Sequence, residues 1–313
     1  MSMSSPFSFK VRKEKMLLGH KSGVYALIAG EESNLIYSGA GDGWITKWDI
    51  SKSTDGQLIA RTEAQIFAIC LLRDHKTMVA GDMNGEVYWI DLYTNAPSRR
   101  FLQHKKGVFA FIEMEQELYS MGADGTVAIW DIESRDLKES LRLSHQSLRS
   151  VDHSPDGELL AVGASDGNIY ILDTAKKQLI HVLEQAHRNS VFTVKFSPEG
   201  TYLVSGGRDA MLKIWSVKGG FTNEEEIPAH WYTINDLAFS PDQRFLATAS
   251  RDKTIRIWDA KTFELQVVID RDKYAGHLNS VNCLYWSSYN NYLFSAGDDR
   301  SIIVWDVNIL GSD

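Results

Sequence analysis

Apolar and polar positions alternate along most of the chain. In Thr254-Ile255-Arg256-Ile257-Trp258, Ile255 and Ile257 fall on one side of a two-residue period and Thr254, Arg256 and Trp258 on the other. That spacing predicts a β-strand, and Asp252-Lys253 before it reads as the tight turn that feeds the strand. The same shape recurs. A turn residue stands six positions before a Trp slot at Asp42/Trp48, Asn84/Ile90, Asp124/Trp130, Asp166/Leu172, Asp209/Trp215, Asp252/Trp258 and Asp299/Trp305. Successive slots are 42, 40, 42, 43, 43 and 47 residues apart, so the chain is built from seven units of one supersecondary kind.

A second marker precedes each turn except in unit two. His20, His104, His145, His187, His230 and His277 lie 20 to 22 residues upstream of their turn Asp. Between the two markers sit an apolar strand such as Val191-Phe192-Thr193-Val194-Lys195-Phe196, a turn such as Ser197-Pro198-Glu199-Gly200, and a further strand such as Tyr202-Leu203-Val204-Ser205. Each unit is therefore about four short strands. No stretch keeps helical apolar spacing across a whole unit, which excludes helical repeat arrays.

On these markers, over essentially all 313 residues, the sequence resembles the WD-repeat (WD40) β-propeller family. The resemblance implies an all-β fold: a seven-bladed β-propeller of four-stranded antiparallel blades, with residues 1–313 forming a single domain. Unit seven stops after its third strand, at Asp306-Val307-Asn308-Ile309, while Phe7, Phe9 and Val11 alternate with Ser8, Lys10 and Arg12 as a spare strand. The family closes its ring by pairing such an N-terminal strand with the C-terminal blade, which removes an unpaired edge. Residues 1–5, small and polar, are expected to fray.

The resemblance also implies a buried hydrogen-bond network in each complete unit. Its members are His20, Ser38, Asp42 and Trp48 in unit one and His104, Ser120, Asp124 and Trp130 in unit three. They are His187, Ser205, Asp209 and Trp215 in unit five, His230, Thr248, Asp252 and Trp258 in unit six, and His277, Ser295, Asp299 and Trp305 in unit seven. Unit two holds Thr62, Ala80, Asn84 and Ile90 instead. All four have changed together, as expected when one orphaned buried polar group costs about 1–3 kcal/mol. Unit four keeps His145 and Asp166 but has Val162 and Leu172, so a His145–Asp166 pair is expected there, and both units are expected to be more hydrophobic or less rigid. The long last interval predicts an extended loop around Asp270-Arg271-Asp272-Lys273-Tyr274, and Glu224-Glu225-Glu226 reads as a solvated loop.

Composition narrows the function. The formal charge of −8 does not support a broadly basic nucleic-acid face. Cys70 and Cys283 each sit in an apolar strand and read as core residues of a reducing compartment. Residues 1–15 lack an apolar run of signal-peptide length, and no window reaches the roughly 18 apolar residues of a membrane span. A cytoplasmic protein is expected.

Catalytic chemistry finds no support. Ser, His and Asp recur in every complete unit, but a catalytic triad is one site in a chain whereas a structural motif repeats. His75, His153 and His181 fall outside the marker without metal-ligand spacing, and no phosphate loop or Gly-x-Ser-x-Gly elbow is present. Gly39-Ala40-Gly41-Asp42-Gly43 leads into a strand rather than a helix. No metal or cofactor is expected.

Propellers present the His loops and the turns at one rim of a central channel, and in this family that face often grips peptides. The residue after the first apolar position of each innermost strand would surround the opening: Tyr25, Phe67, Phe109, Arg149, Phe192, Asn235 and Asn282. The residues preceding the turn position would share that face: Gly41, Met83, Ala123, Ser165, Arg208, Arg251 and Asp298. Aromatic residues and Arg are enriched in binding hot spots, and an aromatic ring can clamp a cation. The expected function is a non-catalytic scaffold or adaptor that binds peptide segments of partner proteins at Tyr25, Phe67, Phe109, Arg149, Phe192, Arg208, Asn235, Arg251, Asn282 and Asp298. It would be monomeric alone and a subunit of a hetero-complex. The alternatives are phosphate-directed recognition through Arg149, Arg208 and Arg251, or a small-molecule or enzymatic use of the channel.

Overall fold

The computed structural model describes residues 7–311, apart from residue 53 and residues 95–97. The expectation for residues 1–5 lies outside the described residues. Seven sheets of four antiparallel strands follow one another along the chain, six of them laid out from an innermost to an outermost strand in chain order. The innermost strands are Val24–Ala29, Ile66–Leu71, Val108–Met114, Leu148–His153, Val191–Phe196, Ile234–Phe239 and Val281–Trp286. Each lies against the next, and the last lies against the first, so the seven blades close a ring.

Blade seven takes its outer strand from the other end of the chain. Phe7–Leu18 pairs antiparallel with Ser301–Gly311, from Phe7 opposite Gly311 to Leu18 opposite Ser301, with a bulge between Lys13 and Lys15. The edge of the last blade is thereby paired. Leu17 is buried with Val24, Trp48, Phe294 and Ile302, so the closing strand joins the packing between blades seven and one.

Why a ring rather than a stack follows from where the apolar faces point. Both faces of the middle strands are buried; Leu35–Ala40 and Phe245–Ser250 are covered at every position. A sheet buried on both faces needs a neighbour on each side, and closure supplies one to all seven blades. The buried residues accordingly form seven clusters, each between two adjacent blades; one contains Trp89, Trp130, Val79 and Leu118 from blades two and three. Outer strands have little to bury. Leu137–Arg142 and Thr222–Pro228 are almost wholly exposed.

One local expectation needs correction and another gains detail. Glu224-Glu225-Glu226 is not a loop but the middle of the outer strand of blade five, paired with Met211–Ser216. Solvent faces both sides of that edge, so its composition carries no apolar period, and charge there discourages pairing with another chain. The longer connection expected at Asp270 is present between Leu265–Ile269 and Val281–Trp286, and part of it is regular. Arg271–Tyr274 forms one helical turn, capped by the Asp270 carboxylate accepting from the Lys273 N–H and ended by Ala275 in the left-handed region. Lys13 Nζ on the closing strand donates to the Ala275 carbonyl at 2.9 Å.

Candidate functional site: the channel mouth and the network beneath it

The five complete blades share one polar chain. In blade one, Trp48 Nε1 donates to Ser38 Oγ at 2.8 Å, Ser38 Oγ lies 2.7 Å from His20 Nε2, and His20 Nδ1 lies 3.2 Å from the Asp42 carboxylate. Blade three repeats this with Trp130, Ser120, His104 and Asp124, and blade five with Trp215, Ser205, His187 and Asp209. Blade six uses Trp258, Thr248, His230 and Asp252, and blade seven Trp305, Ser295, His277 and Asp299. Proton accounting leaves one arrangement. The carboxylate requires a proton on Nδ1, so Nε2 of a neutral imidazole accepts; the hydroxyl therefore donates to it and is free to accept from the indole. Burial holds His20, His104 and His230 below the ordinary imidazole value, although the neighbouring Asp opposes the shift. The same carboxylate also accepts the backbone N–H that follows each His, as from Lys21 at 2.7 Å and Leu278 at 2.8 Å. Loop and turn are thus fastened together at the same end of every complete blade.

Blades two and four depart differently from expectation. In blade four His145 is exposed, and no His145–Asp166 pair forms. Ser144 takes the buried slot and donates to Asp166 Oδ2 at 2.5 Å, beside the Tyr170 hydroxyl donating at 2.6 Å. The His marker is displaced by one residue, which sequence spacing of 20 to 22 could not reveal. In blade two the buried acid is not at position 84 but at Asp82; the Tyr88 hydroxyl lies 3.1 Å from it and also contacts Glu86, so its one proton serves the pair of carboxylates. Neither unit is simply more hydrophobic. Each replaces the His–hydroxyl–indole chain with a Tyr reaching the turn acid from the third strand. Trp89 of blade two is buried with its Nε1 unpaired, and it packs edge-on to Trp130 with 6.2 Å between centroids.

Above this frame the channel opens. All seven innermost strands carry the same irregularity: pairing with the second strand slips between the first and third residues, as between Val24 and Ala26 or Val281 and Cys283. The residue at each slip is Tyr25, Phe67, Phe109, Arg149, Phe192, Asn235 or Asn282. A bulge breaks the pairing locally and re-aims the side chain it carries. The first residue of each strand, Val24 through Val281, is fully buried between blades. The bulged residue lines a central cavity of about 570 Å³.

The mouth is asymmetric. Tyr25, Phe67 and Phe109 form an arc, with 5.3 Å between successive ring centroids. Arg149 continues it. Its guanidinium carbon lies 4.2 Å from the Phe109 ring centroid and 5.2 Å from that of Phe192, while Nε donates to Ser165 Oγ at 2.9 Å. The chain's own Arg149 therefore fills the aromatic clamp that could have gripped a ligand cation. Asn235 and Asn282 complete the ring but are engaged: Asn235 Nδ2 donates to the Val281 carbonyl at 2.7 Å, and Asn282 Nδ2 to Asp298 at 2.7 Å. Arg208, Arg251 and Asp298 stand exposed on the same face but do not line the cavity, so the structure divides the predicted set into a mouth and a rim.

Deeper in the channel is a charged cluster that pattern reading did not single out. Lys195 Nζ donates to Asp152 at 3.0 Å, and Asp152 also accepts the Phe196 N–H of the next blade at 2.8 Å. Asp236 accepts the Leu284 N–H at 2.8 Å, and burial pushes its carboxyl up to about 6. Burial likewise raises the Cys283 thiol, so it is no nucleophile at neutral pH. These polar residues stitch adjacent blades through their strand backbones. The visible signal was a charge at an otherwise apolar inner-strand position. A second cavity of about 570 Å³ opens on the opposite face between blades three and four, where Lys138 and Lys177 both donate to Glu117 at 2.6 Å. Among the described residues no group of three or more His, Cys, Asp or Glu could hold a metal.

Seven closed blades with repeated Trp–Ser/Thr–His–Asp chains define the class as a WD-type β-propeller. Residues 107–269 match the model of the second β-propeller of echinoderm microtubule-associated protein, and residues 12–49 and 270–306 match the WD domain, G-β repeat. The chain belongs to the WD-repeat β-propeller family. It is 25% identical to autophagy-related protein 16 of Arabidopsis thaliana over 56% of this chain and 35% of that protein. It is 26% identical to ribosome biogenesis protein ytm1 of Aspergillus niger over 60% and 37%, and 26% identical to WD repeat-containing protein SL1-17 of Schistosoma mansoni over 52% and 54%. The matches span about a third to a half of the length of these curated relatives. The crystal structure of the WD40 β-propeller domain of Doa1 superposes with a TM-score of 0.82 at 15% identity, covering 95% of this chain and 97% of that one, and shares the fold.

Proposed function

We propose that this protein is a non-catalytic interaction platform whose channel mouth binds a peptide segment of a partner protein. The observation that carries this reading is the arc Tyr25–Phe67–Phe109–Arg149, raised into the mouth by bulges at one register position in adjacent blades. Three aromatic rings offer a flat apolar floor, and Arg149 offers terminal N–H groups beyond the Nε bond it already makes. An aromatic floor beside a directional cation suits an apolar side chain next to a carboxylate. The relatives named for autophagy and for ribosome biogenesis fit a general role in protein assembly, without naming a partner for this chain. Recognition of phosphate by three converging arginines is less well supported, because only Arg149 lines the cavity. Catalysis is disfavoured because the His, Ser and Asp side chains are consumed in the repeated network. The unbonded Cys70 and Cys283 suit a reducing compartment, and we place the protein in the cytoplasm.

The test is a displayed library of random peptides selected on the wild-type protein, with hits made as fluorescent peptides and titrated by polarisation. Phe109→Ala should weaken at least one class of hits by about tenfold or more, as for a hot-spot aromatic. Circular dichroism would verify that the variant is folded. If every hit binds the Phe109→Ala variant as tightly as the wild type, the mouth is not the site.

A further inference from the structure

The face that carries the mouth also carries, over blades five to seven, large residues that the mouth does not use. Trp231 is 81% exposed, Tyr232 61% and Leu278 51%. They are not on slack loops. The Trp231 and Leu278 N–H groups donate to Asp252 and Asp299 at 3.1 and 2.8 Å, and Ser250 Oγ donates to the Tyr232 carbonyl at 3.2 Å. The network beneath therefore holds apolar side chains out into water, where a free surface gains nothing from them.

Exposed cations share these blades. Arg188, Arg208, Arg251, Lys253 and Arg300 are all exposed on the His loops and turns of these three blades. None of their side chains makes an ion pair or hydrogen bond among the described residues, and the Arg251 N–H donates to the Thr233 carbonyl at 2.9 Å, setting its turn against the loop of Trp231 and Tyr232. Four acids close to them are already engaged, while Glu184 and Asp272 are exposed farther back on the same loops. Asp209, Asp252 and Asp299 are nearly covered and accept from His and backbone N–H groups, and Asp298 accepts from Asn282. A chain of net charge −8 thus presents unpaired cations on the same blades as exposed aromatic and aliphatic side chains.

We propose that this rim is a second docking surface, separate from the mouth, for an acidic segment of a partner protein that carries one or two large apolar anchors. Complementary charge would steer the segment and fix its register, and burial of its anchors against Trp231, Tyr232 and Leu278 would hold it. A nucleic acid fits less well, because the aliphatic Leu278 offers no face on which a base could stack. The proposal rests on the interaction-platform reading but uses different residues, so the two can fail separately.

The experiment selects random peptides about twelve residues long on the wild-type protein and titrates synthetic hits by polarisation against Trp231→Ala, Arg251→Glu and Phe109→Ala, with a single-stranded RNA oligonucleotide as a further probe. The expected result is a class of hits rich in Asp and Glu with Leu, Phe or Trp. These should lose about tenfold or more in affinity with Trp231→Ala and with Arg251→Glu, weaken as salt rises, and bind Phe109→Ala unchanged. Hits sensitive only to Phe109→Ala would overturn the rim and leave the mouth standing. A selection that yields no acidic class would also overturn it. So would RNA binding more tightly than any peptide with the same dependence on Trp231 and Arg251. Both rim variants change exposed side chains, and unchanged thermal melting of each establishes that a lost affinity is not lost folding.

Discussion

Replacing Ser295 by Ala removes one oxygen from a fully buried position of blade seven. That oxygen accepts from Trp305 Nε1 at 2.8 Å and sits 2.8 Å from His277 Nε2, to which it donates. Its loss leaves two buried polar groups unpaired, an indole N–H and an imidazole nitrogen, while the cavity created is smaller than a water molecule. At about 1–3 kcal/mol for each orphaned group the variant should lose about 2–6 kcal/mol. For a chain of this size that is roughly 5–15 °C in melting temperature. Urea titration followed by tryptophan fluorescence measures it as a fall in midpoint at constant slope. A second variant isolates the cause. With Trp305→Phe already in place the indole N–H is gone, so adding Ser295→Ala should cost less than it does in the wild type. A Ser295→Ala loss below about 0.5 kcal/mol, or costs that simply add, would refute the view that a shared hydroxyl ties strand to loop.

In blade four, Ser144→Ala should cost about 1–2 kcal/mol by stripping a donor from Asp166, whereas His145→Ala should change the urea midpoint negligibly; the reverse order would restore the His145–Asp166 pair. Stability should also fall as pH drops from about 7 to about 5. His20, His104 and His230 titrate below the ordinary imidazole value when folded, so the unfolded chain binds more protons in this window; urea midpoints across it give the slope. Asp236 acts with the opposite sign, because its folded value near 6 exceeds the unfolded one, and its contribution is lost as pH rises from about 4 through 6. Asp236→Asn should therefore make the decline on acidification steeper than in the wild type, and an unchanged slope would argue that Asp236 is not protonated in that range.

The sequence by itself determined the number of repeat units and the strand count of each, which follow from a repeated two-residue alternation and fixed intervals between turn and Trp slot; closure of the ring by the N-terminal strand came from the family resemblance those repeats carry. The sequence also located the five complete networks, because their members recur at constant spacing and repetition averages out local ambiguity. Single features were less legible. One-residue displacement hid Ser144 behind His145, and nothing in the pattern marked Tyr88 and Tyr170, whose hydroxyls the third strand brings to Asp82 and Asp166. Only the tertiary structure decided that Arg149 lies between Phe109 and Phe192, since those contacts join three different blades. It alone separated the mouth from the rim. Period-two patterning states which face of a strand a residue occupies, but a bulge changes that direction at one position, and ring closure sets which residues of distant units meet.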